Sequence, residues 1–359
     1  MKCRWSWSVG WVAVLAFVVT CMQTNAVARG SEIEPTPLRV VVTVPPLAGL
    51  VRPLLAEIDP KAEVRVLLQG GQSVHGMEPT PSDIAAIATC DVLVYVGLNL
   101  EPRVSAMVRE KPVERRQVVC FAEVVGLQEK GKPEPNAPGS NAKPKPTEKD
   151  SGHDDHDHAH DHDHHHTDEL SHAAAGYVDQ HLWLDPSLVR RLIPAIRDAI
   201  QNACTSRGSF DDTMKTRLEA AAEKLLKSID DVDAVYRARL EVCKGRAFVT
   251  HHNAFSRLAD RYGLKVAATI RLTETTEPTA SELREVVEAI AREKVRAIFY
   301  EPQMDPKPAR RIAEIARIRI GELDPLGSPE QTSWATFMEK NLTSLLAGLS
   351  DSPAPPAAP

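Results

Sequence analysis

The sequence predicts an α/β protein of two lobes, each built on a four-stranded, mainly parallel sheet flanked by helices, with one long rigid helix joining them. Three observations carry that expectation. Short runs of Val, Leu and Ile alternate with helical stretches twice, from Leu38 to Phe121 and again from Ala247 to Leu349, and near-continuous apolar runs suit parallel strands covered on both faces. Between the two series lies the longest helix-periodic stretch of the chain. A length of 359 residues with an apolar share of 43% is enough for more than one packed core without disulfide staples.

The chain opens MKCRWSWSVGWVAVLAFVVTCMQTNAVARG. Lys2 and Arg4 precede an apolar run from Val9 to Thr20, and Ala26-Val27-Ala28 supplies a small-x-small cleavage pattern, so residues 1–28 are expected to be an export signal. The run falls short of the ~20 residues that cross a bilayer. Val18-Val19-Thr20-Cys21 resembles a lipoprotein box imperfectly, because threonine precedes the cysteine, and lipid anchoring at Cys21 is the lesser reading. Export into the periplasm or beyond leaves Cys90, Cys120, Cys204 and Cys243 where disulfides persist. No CxxC occurs and a long helix separates Cys204 from Cys243, so all four are expected as buried thiols. A net charge of −6 without a basic stripe sets nucleic-acid binding aside.

In the first lobe, expected over residues 29–209, "LRVVVTV", "EVRVLLQ", "VLVYV" and "QVVCF" read as strands, with helices in "PPLAGLVRPLLAEI", "PSDIAAIA" and "EPRVSAMVRE". Residues 129–172 then bring Pro, Lys, Asp and His with almost no large apolar side chains, a composition that cannot bury enough surface to order itself. After "HLWLDP" a helix runs from about Ser187 to Ala203. From Asp211 to Val242, Met214, Leu218, Ala221, Leu225, Ile229, Val232, Tyr236 and Leu240 keep three-and-four spacing. Asp211 or Asp212 caps the start and Gly245 follows the end, so the linking segment 210–244 holds a helix from Asp211 to Val242 roughly 48 Å long, longer than either lobe is wide. The second lobe, residues 245–349, repeats the pattern with strands "AFVT", "KVAATI", "RAIFY" and "RIRIGEL". Its helices are "AFSRLADRY", "ASELREVVEAIARE", "PKPARRIAEIA" and the stretch from Pro329 to Leu349. Residues 350–359 are a proline-alanine tail without packing residues.

Nine of the thirteen histidines fall within SGHDDHDHAHDHDHHHTDELSH, residues 151–172. Imidazole interleaved with carboxylate is a metal-ligand set. A chain segment of this composition has no fixed geometry, so His153, His156, His158, His160, His162, His164, His165 and His166 are expected to form an accessory, low-affinity region that binds several ions weakly. The other histidines are His75, His181, His251 and His252. His75 lies six residues past "EVRVLLQ", His252 two past "AFVT", and His181 opens "HLWLDP". Ligands of open α/β sheets bind outside the strand carboxyl ends, and Zn²⁺ takes three imidazoles and a fourth donor in a tetrahedral shell. Asp324 in "GELDPLG", just after the last strand, offers a hard oxygen. Glu78 and Asp83 in "EPTPSDI" suit helix capping and loop ordering better than ligation.

"GQSVHGMEPTPSDI", "CDVLVYVGLNLEP", "DQHLWLDP", "FVTHHNAFSRLADRYGL", "FYEPQ" and "ELDPLG", in this order and spacing, resemble the zinc and manganese solute-binding receptors of bacterial ABC importers, from about Leu38 to Leu349. The resemblance implies a metal site in the inter-lobe cleft, with ligands at His75, His181, His252 and Asp324, two from each lobe. It selects His252 over His251, which it leaves as a supporting or exposed residue. A histidine at position 252 points to Zn²⁺ rather than manganese. Val74 stands where some zinc receptors carry an acidic residue, so Asp324 or a water must complete the shell. The implied partners are an inner-membrane ABC permease and its cytoplasmic ATPase, with the receptor a monomer and Zn²⁺ its transported ligand.

The competing readings are a manganese or iron receptor, a surface metal-binding adhesin, and a zinc hydrolase. Hydrolysis is disfavoured because no HExxH and no Ser-His or Cys-His pairing stands out, and the chain is expected not to be an enzyme. Ligands on an unordered segment must be ordered on binding, at about 1–2 kcal/mol of backbone entropy per fixed residue. Deleting residues 151–172 is therefore expected to remove several weak zinc-binding events from a calorimetric titration and leave one tight event. The weak events should fade toward pH 5.5 first, because free imidazole takes up its proton near pH 6.5.

Overall fold

Four short apolar runs become β1 (Arg39–Val42), β2 (Glu63–Val66), β3 (Val92–Tyr95) and β4 (Gln117–Cys120), paired in the order β2-β1-β3-β4 with every neighbour parallel. The computed structural model describes residues 36–69, 74–75, 77–110, 112–127, 179–271, 279–330 and 333–351. The expected export signal, Cys21, the His/Asp-rich insert and the tail beyond residue 351 lie outside the described residues. Helices α1 (Pro45–Ala56), α2 (Pro81–Thr89), α3 (Pro102–Glu110), the single turn α4 (Phe121–Val124) and α5 (Pro186–Ser206) accompany this sheet. β3 is buried along its whole length, as a Val-rich central strand covered on both faces requires.

The second sheet repeats the scheme with β5 (Ala247–Thr250), β6 (Lys265–Thr269), β7 (Ala297–Tyr300) and β8 (Arg319–Glu322), ordered β6-β5-β7-β8 and again wholly parallel. Its helices are α7 (Ser256–Arg261), α8 (Ala280–Arg292), α9 (Lys307–Ala316) and α10 (Trp334–Leu349). Both sheets are thus more uniform than the mixed arrangement that "mainly parallel" allows. No helix among the described residues is long and apolar enough to cross a membrane.

Between the sheets runs α6 (Asp212–Leu240), 29 residues and about 44 Å long. Of the two capping candidates Asp211 does the work, its Oδ1 accepting Met214 N–H at 2.7 Å. A 3₁₀ turn over Glu241–Cys243 and Gly245 at φ 73° end the helix short of the expected Val242. The helix is no free-standing strut. Its buried stripe of Leu218, Ala221, Ala222, Leu225, Ile229, Tyr236 and Leu240 lies against α1, α5 and α10, and the Tyr236 hydroxyl donates to Met338 O at 2.5 Å.

One continuous apolar core runs from the first sheet through α5, α6 and α10 to Phe248, Phe255 and Phe299 of the second, while a smaller core of Val249, Ile290, Ile298 and Ile312 fills that sheet's other face. Two sheets that share a core are coupled by burial as well as by the connecting chain. The described cysteines are buried free thiols, and burial pushes Cys90 and Cys204 up to about 11.

α10 approaches β7 so closely that only glycine fits at 348, where a Cβ would lie 2.5 Å from Phe299 Cζ and 3.0 Å from Ala297 Cβ. Alanine in a helix is ordinarily favoured over glycine by about 0.5–1 kcal/mol. Overpacking costs about 1–3 kcal/mol, so Gly348→Ala is expected to lower stability, read as a reduced urea midpoint with unchanged m-value.

Candidate metal centre

Loops past the strand carboxyl ends deliver two of the histidines, and the segment leading into α5 delivers the third. His75 follows β2, in the link to α2, and is half-buried. His181 sits at φ −81° and ψ 56° immediately before a 3₁₀ turn over Leu182–Leu184, with none of its surface exposed. His252 lies two residues past β5, where Thr250 Oγ1 donates to its carbonyl at 2.8 Å, and is 4% exposed.

The three rings form a nearly equilateral triangle, with centroids 5.0 Å apart for His181 and His252, 5.3 Å for His75 and His181, and 5.5 Å for His75 and His252. Each offers a ring nitrogen within 4.8 Å of the others. Neighbouring carboxylates set the tautomers. His181 Nδ1 donates to Asp179 Oδ1 at 2.9 Å and His252 Nδ1 to Glu301 Oε1 at 2.5 Å, and the same two oxygens accept the backbone N–H of His181 at 2.9 Å and of His252 at 3.1 Å. With Nδ1 donating, each Nε2 carries a lone pair, and the two Nε2 atoms meet at 3.1 Å. Two imidazoles on a tetrahedral zinc stand about 3.3–3.4 Å apart, given Zn–N bonds of about 2.0–2.1 Å. The donor set fits such an ion.

Burial favours the ligating, neutral form. Desolvation, reinforced by the nearby His181 and His252, lowers His75 to about 3 against the raising influence of Asp179 and a Gln180 hydrogen bond. His181 is lowered as well, chiefly by desolvation. For Asp179, burial works upward, but hydrogen bonds to His181 and the charge of Arg257 outweigh it and hold the carboxyl below its usual range.

Asp324 is buried just past β8 but is not in the imidazole group. Its Oδ1 accepts Gln303 Nε2 at 2.8 Å and the N–H groups of Leu326 and Gly327 at 3.0 and 2.9 Å, so this oxygen orders its own turn. His251 is fully buried, correcting the option of an exposed residue, and lies outside the group. Asp83 Oδ2 accepts Thr80 N–H in the capping box of α2 while its Oδ1 pairs with Arg65, and Glu78 pairs with Arg103 at 3.2 Å. The eight accessory histidines lie outside the described residues.

Sequence reasoning missed Asp179 and Glu301, the carboxylates that orient two of the rings. The available signals were an acid two residues before His181 in "DQH" and an acid at the carboxyl end of β7 in "FYEP".

The protein family described as ZnuA, zinc-uptake complex component A, periplasmic, matches residues 40–348. The chain belongs to this family. A Brucella abortus relative called a high-affinity zinc uptake system protein is 29% identical over 295 residues, covering 80% of this chain and 84% of its own. A Streptococcus pneumoniae relative called a zinc-binding lipoprotein is 27% identical over 293 residues, and there the match takes in 79% of this chain but only 51% of the relative, so the chain spans about half that relative's length. The solved zinc-bound ZnuA-like domain of the streptococcal protein superposes with a TM-score of 0.61 over 87% of this chain and 99% of the domain, at 22% identity, a likeness of fold.

Lowered pKa values at His75 and His181 give the cluster a definite acid response. The folded pKa of His75 is depressed from 6.5 to about 3, so its stabilising contribution is complete above pH 6.5 and is lost as pH falls from there toward 3, where the unfolded chain binds protons first. The metal-free protein is therefore expected to lose thermal stability steadily below pH 6.5. His75→Asn should flatten that decline without abolishing it, because His181 is shifted in the same sense.

Proposed function

We propose that this chain is a receptor that captures Zn²⁺ outside the inner membrane and delivers it, as a monomer, to an ABC permease driven by a cytoplasmic ATPase. The observation that carries this reading is the convergence of three imidazole nitrogens within 4.8 Å, two of them on rings fixed by buried carboxylates. A ligating histidine whose second nitrogen is held by a carboxylate is a more basic and better oriented donor. Asp179 and Glu301 also bring negative charge that a divalent cation compensates. The names of the Brucella and streptococcal relatives agree with zinc as the cargo.

We assign His75, His181 and His252 as ligands and Asp324 as the fourth, through Oδ2, since the hydrogen bonds that its carboxylate accepts from Gln303, Leu326 and Gly327 fall on Oδ1. Three imidazoles favour zinc over manganese, whose preference is for oxygen donors. Receptor function is favoured over hydrolysis because the acids beside the rings, Asp179 and Glu301, each already hold a ring Nδ1 and a backbone N–H, the part of a ring-orienting partner. The His/Asp-rich insert serves this reading as an accessory collector or sensor of zinc.

Chelator competition tests the assignment. Alanine at position 75, 181 or 252 is expected to cost more than the roughly 10–100-fold that loss of a supporting partner costs. Asp324→Ala should cost less than any of the three, and His251→Ala should leave affinity near wild type. Zinc should displace manganese at equal concentration. Manganese binding as tight as zinc, or a histidine variant that keeps the tight site, would overturn the corresponding assignment.

A further inference from the structure

The segment from Asp179 to Asp185 carries His181 and leads into α5, so along the chain it belongs with the first sheet. Gln180 Nε2 donates to Leu98 O on that side at 2.5 Å, but the segment's other long-range polar contacts point the other way. Helix α7 follows β5, packs on β6 and touches the 3₁₀ turn of this segment, and its Arg257 and Arg261 stand one helical turn apart on the same face. Arg257 Nε and Nη2 both donate to the Asp179 carbonyl, at 2.9 and 2.8 Å, and its backbone N–H donates to Asp179 Oδ2 at 3.2 Å. Arg261 reaches Asp185 Oδ1 at 3.4 Å while its Nε and Nη2 donate to Asp233 on α6 at 2.9 and 2.8 Å. Between them Trp183 Nε1 donates to Pro325 O at 2.6 Å, one residue past Asp324.

Asp179 is therefore shared. Its Oδ1 accepts both the backbone N–H and Nδ1 of His181, while its Oδ2 and its carbonyl are held by α7 of the second lobe. A carboxylate fixed at one oxygen only can still turn about its side-chain bonds. The Arg257 backbone N–H holds the second oxygen while its guanidinium, donating twice, pins the carbonyl of the same residue, and the two together remove that freedom.

The geometry points to Arg257 as a positioning residue for metal binding: from the second lobe it fixes Asp179, and through Asp179 the ring of His181, against His252. The inference rests on the zinc-receptor reading and adds to it the device that makes two ligands from different parts of the chain a preassembled pair. Arg257 touches no ion itself. Arg52, whose Nη2 donates to Pro329 O at 2.8 Å, ties the lobes by a similar arginine-to-carbonyl contact that involves no residue of the Asp179–Asp185 segment, and it serves as the comparison.

The experiment uses the full chain, Zn²⁺ affinity by chelator competition and the visible ligand-field spectrum of the Co²⁺-saturated protein. Arg257→Gln is expected to weaken zinc binding by about 10–100-fold, the usual consequence of losing an outer partner, and to alter the band positions or intensities at saturating Co²⁺. Arg257→Lys should recover part of both, since one ammonium cannot reproduce the fork, and it provides a folded variant should the Gln form not fold. In an Asp179→Asn background Arg257→Gln should cost much less than it does alone, because both act on one ring. Arg52→Gln should change thermal stability and leave the Co²⁺ spectrum unaltered.

Wild-type affinity and spectrum in Arg257→Gln overturn the inference, as does an affinity loss with an unaltered spectrum, or full additivity with Asp179→Asn. Those outcomes leave the zinc-receptor reading standing. A wild-type chain that binds neither ion tightly overturns that reading, and the role given to Arg257 falls with it.

Discussion

Two imidazole nitrogens with opposed lone pairs, 3.1 Å apart and shielded from water, are stable only under restraint, and the surrounding structure supplies that restraint. Left alone, such rings would rotate, take up water or acquire a proton between them. Asp179 and Glu301 prevent rotation by holding the opposite nitrogens, and burial disfavours protonation of His181 and His75. The result is a largely buried cluster of nitrogen donors, two of them backed by carboxylates, that could hold a cation. The proposed receptor role needs little else, because binding and release require no proton transfer to a substrate and no nucleophile.

Holding that cluster is a task for the fold. Parallel strands direct all of their carboxyl ends one way, so each sheet offers several loops at one edge, and the two sheets share the order that places β1 and β5 next to their sheet centres. The common core through α5, α6 and α10 then keeps the two sets of loops in register. Buried hydrogen bonds run the same way, from Trp183 to Pro325 and from Trp334 to the carbonyl of Trp183. A site shared between lobes with a continuous core is preorganised, which lowers the ordering cost of binding relative to the same donors on an unordered segment.

Much of the fold was legible from residue type and spacing. "VLVYV" became a strand buried on both faces, and the three-and-four spacing of Leu218, Leu225, Ile229 and Tyr236 became the buried stripe of α6. These signals are local, since a strand or an amphipathic helix declares itself over a few residues. One-turn elements such as Phe121–Val124 and Leu182–Leu184 were missed because so few residues carry no period. The candidate ligands were visible as histidines at strand ends, yet Asp179 and Glu301 were not, because an acid beside a loop is far more often a cap or a surface charge.

By itself the sequence determined the two α/β series, the helix between them, and the residue types able to hold a borderline metal near their strand ends, since periodicity and ligand chemistry are properties of neighbouring residues. Tertiary structure alone decided that His75, His181 and His252 meet, that Glu301 lies against His252 across 49 residues of chain, and that Asp179 is gripped by Arg257 78 residues away. It also turned Asp324 Oδ1 to its own turn and buried His251 outside the cluster. The physical reason is that hydrogen bonds and metal geometry depend on distances of a few tenths of an ångström between groups far apart in the chain, and those distances are set by how the two sheets pack.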